Sequence, residues 1–423
     1  MFSFTICRGS KDVDAAVPTA APPSDASPEK VAATAAPAIA KPVVQKISAD
    51  EAARFYDLRS GSGLPSGACM YIQSGDTSDF DGYLIAAAGH ALQRQTPKFE
   101  YVIAVPERRA WRGKDEPDTN KHDPTYSEEV LATAGALLRH LCPDAILCKG
   151  LLNQRNIIPW SMMFNEPERY APLIHEMHKV TVGWTSLEAL AERILDPELQ
   201  SLVLDMNGSM GYLAGLVKHL GPEGEKVLGR KMKASGMPLI MMAGIQAEVV
   251  AQTLKLPGRD PRATKNAIYY PDAVRSLLRL AKEHQVPLLL VTNNTCNRLI
   301  KFQDANEVIS RMGLKGLLQR IAQVWFSLPY LAGKCVPFDW VAFTAMLLYG
   351  RQPSAIKIDR QELYVGKDDP SVLVLRDPGA PSSDVVLDNL AGTELWGDVE
   401  SVSDISMEVM LQLSRHAAAH TAC

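Results

Sequence analysis

The chain has 423 residues, 46% hydrophobic and 22% charged, enough apolar material for one large domain or two ordinary ones and too much for a chain disordered throughout. Forty-four Lys and Arg against 48 Asp and Glu leave a formal net charge of -4, which argues against the bulk positive field that holds a nucleic-acid backbone or an anionic membrane. The longest apolar runs, Val286 to Val291 and Met237 to Gly244, fall short of the roughly 20 residues a bilayer span needs. Seven scattered cysteines form no CxxC pair and no Cys/His cluster at zinc spacing, which predicts free thiols in a reducing compartment. No long apolar stretch follows Met1, so the expected location is the cytoplasm, with organelle import left open.

Along the chain, residues 1–46 read as a disordered Ala/Pro-rich tail with almost no large side chains to bury. Residues 47–67 read as a short helix and linker: Ser48 stands three residues before Glu51, the spacing of a capping box, and Ser60 to Gly67 is rich in Gly, Ser and Pro. Residues 68–423 then form the folded domain. Short apolar runs predict strands at Cys69–Gln73, Tyr101–Val105, Ala145–Lys149, Ser201–Asp205, Pro238–Ala243 and Val286–Thr292. Helical spacing of apolar residues falls between them at Tyr126–Leu141, Ser186–Leu195, Tyr212–Leu220 and Asp272–Glu283. That alternation predicts an α/β fold, a mostly parallel central sheet with helices on both faces. Three further strands, Ala355–Val365, Ser371–Arg376 and Asp384–Asn389, and a closing helix, Ser406–His416, predict a C-terminal β extension on the same core. In open α/β sheets the site lies beyond the carboxyl ends of the strands. This gathers Ser74–Gly82, Asp205–Gly211, Ala243–Ala247 and Thr292–Asn297 around one crevice.

The first of these loops carries Asp76, Asp79 and Asp81 within six residues. Crowded carboxylates repel one another, and a hard cation with oxygen ligands relieves them. A solvated turn in which Asp76 or Asp79 caps the next helix gives the same pattern.

The segment MYIQSGDTSDFDGYLIAAAGHAL resembles the opening of the nucleoside hydrolase family, an apolar strand followed by D-x-D-P-G-x-D-D-A and a helix of small apolar residues. Laid without gaps, the motif's second Asp falls on Asp76 and its last on Asp81, the first on Ser74 and the third on Phe80, with Asp79 one position away. YSEEVLATAGALLRHLCPDAILCKG is similar to the family's next helix and strand. LQSLVLDMNGSMGYLAGLV is similar to its T-L-V-A-x-G-P-L-T-N-x-A segment, with Gly211 where the family has a sugar-contacting Asn. ATKNAIYYPDAVRSLL resembles E-F-N-x-x-x-D-P-E-A-A and puts Asn266 on the sugar-binding Asn and Thr264 on the Glu; KEHQVPLLLVTNNT puts Asn294 in place of an Asp. VPFDWVAF resembles H-D-x-x-A, keeping Asp339 and placing Phe338 where the family has a proton-donating His. The resemblance spans about Cys69 to His416.

The resemblance implies a Ca²⁺ held by Asp76, Asp79, Asp81 and Asp339, with Asp76 as the base that takes a proton from water attacking an oxocarbenium-like carbon. It implies sugar contact by Asn266, and Trp340, beside Asp339, is expected to line the pocket. With the clamp lost at Ser74, Thr264 and Gly211 and the acid lost at Phe338, the expected activity on ribonucleosides is weak or absent. An active Ca²⁺-dependent ribonucleoside N-glycosidase and a non-catalytic binding or scaffold protein in a larger assembly are the alternatives. The expected ligand is a nucleoside or other ribose compound, with a protein partner as the alternative, and the resemblance favours a homo-oligomer. A competing reading comes from Asp79-Phe80-Asp81-Gly82-Tyr83-Leu84, similar to the D-x-D-G-T-L motif of haloacid dehalogenase-type phosphatases.

Overall fold

The computed structural model describes residues 46–61, 63–75, 79–107, 123–152, 167–177, 180–247, 260, 262–299, 302–327, 337–379 and 392–421. Residues from Val43 onward form one unit. The expected tail up to residue 45 and the expected strand Asp384–Asn389 lie outside the described residues.

The described strands are β1 (Ala68–Ser74), β2 (Phe99–Glu107), β3 (Ile146–Leu152), β4 (Leu199–Met206), β5 (Leu239–Met242), β6 (Ile245–Gln246), β7 (Leu288–Val291), β8 (Ile356–Gly366), β9 (Leu373–Arg376) and β10 (Thr393–Ile405). The described helices begin with α1 (Ala49–Phe55), α2 (Phe80–Gln95), α3 (Pro124–Leu141), α4 (Pro167–Glu176), α5 (Leu187–Leu195), α6 (Gly211–Ser235) and α7 (Lys265–Tyr269). They continue with α8 (Pro271–His284), α9 (Asn293–Leu299), α10 (Ala305–Met312), α11 (Gly316–Phe326), α12 (Phe338–Leu348) and α13 (Met407–Ala419). All six apolar runs read as strands are strands.

Among the described residues one sheet runs β3-β2-β1-β4-β5-β7-β10-β8-β9-β6. Its first seven strands pair in parallel, and β8 runs antiparallel to both β10 and β9. Alternation along the strands feeds two apolar layers. Cys69, Tyr71, Tyr101, Ile103 and Val203 face a layer with α2, α3, α12 and α13. Met70, Ile72, Val102, Leu202 and Leu204 face the other, with α5, α6 and α8. Helix α6 bends where Gly221, at φ 64°, precedes Pro222, whose ring nitrogen has no hydrogen to donate. The longest strand is β10, half-exposed and placed C-terminal to the segment that the sequence pattern singled out.

Helix α1 forms as its capping box demands: Glu51 N–H donates to the Ser48 hydroxyl at 3.2 Å and Ser48 N–H to the Glu51 carboxylate at 2.7 Å. Its carboxyl end is held by Arg351, whose guanidinium donates to the carbonyls of Arg54, Phe55, Asp57 and Ser60 at 2.7–2.8 Å. A cation gathering the carbonyls that a helix end leaves unpaired also complements the helix dipole. The Tyr56 hydroxyl, donating to Leu413 O at 2.9 Å, ties this end to α13.

Candidate functional site

Parallel pairing brings the carboxyl ends of β1, β4, β5 and β7 to one edge. Two buried carboxylates stand there. Asp81 is the second residue of α2 and Asp339 the second of α12, exposed by only 3% and 5%. The Asp339 N–H donates to Asp81 Oδ2 at 3.0 Å, across 258 residues of sequence. Each carboxylate sits in the first turn of a helix, where the dipole favours negative charge. Burial first, and then the negative field of Asp339 and Asp81, push the Cys296 thiol on α9 up from its ordinary pKa.

The acidic turn and the distant aspartate therefore meet as the sequence implies, but not every expected ligand joins them. Asp76 lies outside the described residues. Asp79 stands at the N-cap position of α2, half-buried and without a side-chain capping bond, and its charge is felt by the Tyr170 phenol on α4. Among the described residues no third His, Cys, Asp or Glu completes a group with Asp81 and Asp339 within 4.8 Å. The phosphatase-like motif loses its placement too, because Asp79 and Asp81 belong to a helix start five and seven residues past the end of β1 at Ser74.

The floor of the crevice is a polar layer under the strand ends. Asp205, fully buried near the end of β4, accepts from the Tyr71 hydroxyl at 2.6 Å and the Asn207 amide at 2.9 Å on the same oxygen, Oδ2. Its Oδ1 has no hydrogen-bond partner among the described residues, and burial pushes its pKa up to about 7 against those two stabilising bonds. Tyr71 stacks at 5.4 Å on Tyr101, which donates to Gln73. The Ser74 hydroxyl donates to Ser209 O at 2.5 Å, and Gly208 N–H to Ser74 O at 2.7 Å, so the β1 and β4 loops are locked together. Sequence reasoning put Asp205 at the start of a crevice loop but gave it no role. The signal was an acid inside an otherwise apolar strand, LVLDM.

Asn266, the position expected to keep a sugar contact, is committed elsewhere. The Asn266 amide nitrogen donates to Asn207 O at 2.5 Å and Met242 O at 3.0 Å, fastening α7 to the ends of β4 and β5. Gly211 starts α6 against the Tyr270 ring, and a Cβ there would stand 2.4 Å from Tyr270 Cδ2, so no side chain fits beside that ring as it lies. Thr264 is buried before α7, its hydroxyl without a hydrogen-bond partner among the described residues. Asn294 Oδ1 accepts from Gln246 N–H at 3.0 Å. Trp340, 0% exposed, stacks on Phe343 and donates its indole N–H to Met410 O at 3.2 Å, so it packs α12 on α13 and presents no face to a ligand in this conformation. Phe338 packs against the same apolar layer.

A separate groove of about 880 Å³ runs between α6 and α8, lined by Lys218, Glu225, Tyr270, Arg279 and His284 among others. It contains neither Asp81 nor Asp339.

The sequence matches no family model and no curated protein. The fold does match solved structures. The inosine-uridine preferring nucleoside hydrolase of Bacillus anthracis aligns over 83% of this chain and 99% of its own, at 16% identity and a TM-score of 0.52. The purine-preferring ribonucleoside hydrolase of Gardnerella vaginalis aligns over 83% and 99%, at 12% identity and a TM-score of 0.51. The effector protein XOO4466 aligns over 88% and 98%, at 15% identity and a TM-score of 0.52. No described helix is long and apolar enough to cross a membrane. With its mostly parallel sheet, the meeting of Asp81 and Asp339 at the strand ends and these alignments, the chain has the nucleoside hydrolase-like α/β fold.

Proposed function

We propose that this chain uses the nucleoside hydrolase-like fold to bind a ribose-containing ligand with the help of a divalent cation, and hydrolyses the N-glycosidic bond weakly or not at all. The observation that carries the reading is the 3.0 Å hydrogen bond from the Asp339 backbone N–H to Asp81 Oδ2, which brings two buried acids, residues whose oxygens suit a hard cation, to one end of the sheet. Asp81 and Asp339, joined by Asp76, would hold Ca²⁺. When bound, the ion neutralises the buried pair and offers its remaining positions to vicinal hydroxyls.

What the chain's own residues do beside it favours binding over turnover. Tyr270 occupies the space of any side chain at 211, Asn266 spends its amide on the main chain, and Phe338 has no proton to give a leaving base. Each missing hydrogen bond to a sugar hydroxyl costs about 1–3 kcal/mol of recognition, and the loss grows where the bond matters most in the transition state.

The test is calorimetric titration of Ca²⁺, alone and with ribose or inosine, into the wild type and Asp339→Ala, together with hydrolysis assays on inosine, uridine and a nitrophenyl riboside. Ca²⁺ uptake by the wild type, weakened roughly tenfold or more in Asp339→Ala, with turnover far below ~1 s⁻¹, is expected. Turnover at ~1–1,000 s⁻¹ would make the chain an active N-glycosidase. Failure of the wild type to bind Ca²⁺ would remove the cation from the reading.

A further inference from the structure

Away from the crevice, the end of α2 meets the end of α13. His416 and His420 stand four residues apart, on one face of that last turn, with ring centroids 4.6 Å apart and Nε2 atoms at 3.1 Å. The terminal amide of Gln95, the last residue of α2, lies at 2.9 Å from His416 Nε2 and 3.4 Å from His420 Nε2. Three polar atoms thus form a triangle with edges of 2.9, 3.1 and 3.4 Å.

Hydrogen bonding alone serves this triangle poorly. An amide nitrogen only donates, and a neutral imidazole nitrogen has either one hydrogen or one lone pair. With the Gln95 nitrogen facing both rings, either its two hydrogens go to two imidazole lone pairs that then face each other at 3.1 Å, or its N–H and the His420 N–H converge on a single lone pair of His416. Turning the amide by 180°, which leaves its shape unchanged, aims Oε1 at the rings instead. The triangle then presents three lone pairs to one point. A tetrahedral dication with bonds of about 2.0–2.1 Å to nitrogen or oxygen keeps its ligand atoms about 3.3 Å apart, so these atoms already lie close to one face of such a polyhedron.

We propose that His416, His420 and the Gln95 side-chain oxygen form a binding site for a dication of the zinc type, with the fourth position open to water. The site is independent of the crevice. All three side chains are part-exposed, so an ion can enter. The His416 ring is also braced by stacking on Tyr56 at 4.8 Å. Of the surrounding charges, exposed Arg94 opposes a cation, while Asp144 acts on neighbouring His90 in the opposite sense.

The experiment strips the full-length protein with a chelator and titrates Zn²⁺ by calorimetry, with Co²⁺ visible absorption reporting four-coordinate geometry. One equivalent bound by the wild type is expected, weakened roughly tenfold or more in both His420→Gln and Gln95→Leu. Arg94→Gln should keep the site and tighten it, and excess Ca²⁺, which prefers oxygen donors, should not displace the Zn²⁺. His420 lies at the helix end and Gln95 on another helix, so two independent variants with native circular dichroism guard against a folding artefact. Unchanged Zn²⁺ affinity in either variant, displacement by Ca²⁺, or no uptake by the wild type would overturn the proposal.

Discussion

A methyl group added at Gly211 would stand 2.4 Å from Tyr270 Cδ2, closer than carbon atoms approach without displacement. Gly211→Ala is therefore expected to lower stability by about 1–3 kcal/mol in denaturant titration. Tyr270→Ala in the same chain should relieve most of that loss, and a double-mutant cycle showing additivity instead would refute the clash. Asp205 makes a second residue-scale prediction. Its folded pKa of about 7 lies above the ordinary 3.8, so the folded state holds the proton more tightly than the unfolded chain. Its contribution to stability is fully present below about pH 4 and is lost as pH rises through about 7, a change of ~2–4 kcal/mol. Asp205→Asn should flatten the dependence of Tm on pH over that window. Neither contact was legible in the sequence. Position 211 meets a ring 59 residues away, and Asp205 is buried under the sheet with its carboxylate held by a tyrosine from another strand, so both depend on tertiary neighbours that no local pattern encodes.

Helices and strands were legible where burial imposes a period. Strands β1, β2, β4, β5 and β7 are covered on both faces, and their continuous apolar runs mark them. Helix α12 was not read as a helix, because FDWVAFTAMLL is buried nearly all round and shows no polar face to set a 3.6-residue period. Strand β10 was missed for the opposite reason. Its side chains are largely half-buried or exposed, and its place is set by its long pairing with β8. The short α1 was legible from its capping box, but its anchor was not. Arg351, kept charged although burial lowers its pKa to about 10, collects four carbonyls from that segment. Arg351→Ala should speed amide exchange across residues 49–60 by roughly tenfold or more while leaving the central strands protected. Uniform acceleration over the whole chain would show instead that α1 and the sheet unfold as one.

At the scale of the molecule, the parallel sheet brings the acidic turn after β1 to the start of α12. The meeting was readable in advance only through resemblance, since nothing local in Phe338 or Asp339 points back 258 residues. The same topology sets an order of assembly. In the sheet β7 lies between β5 and β10, and β10 begins 102 residues after β7 ends. During synthesis, β1 through β5 leave the ribosome before β7 has its second neighbour, and the open rim it presents is Leu288-Leu289-Leu290-Val291. Until β10 is made, that rim offers unpaired backbone to any passing strand. Ribosome stalling or early termination before residue 393 is thus expected to release a sticky fragment, and chaperone dependence should be greatest between the synthesis of β7 and that of β10.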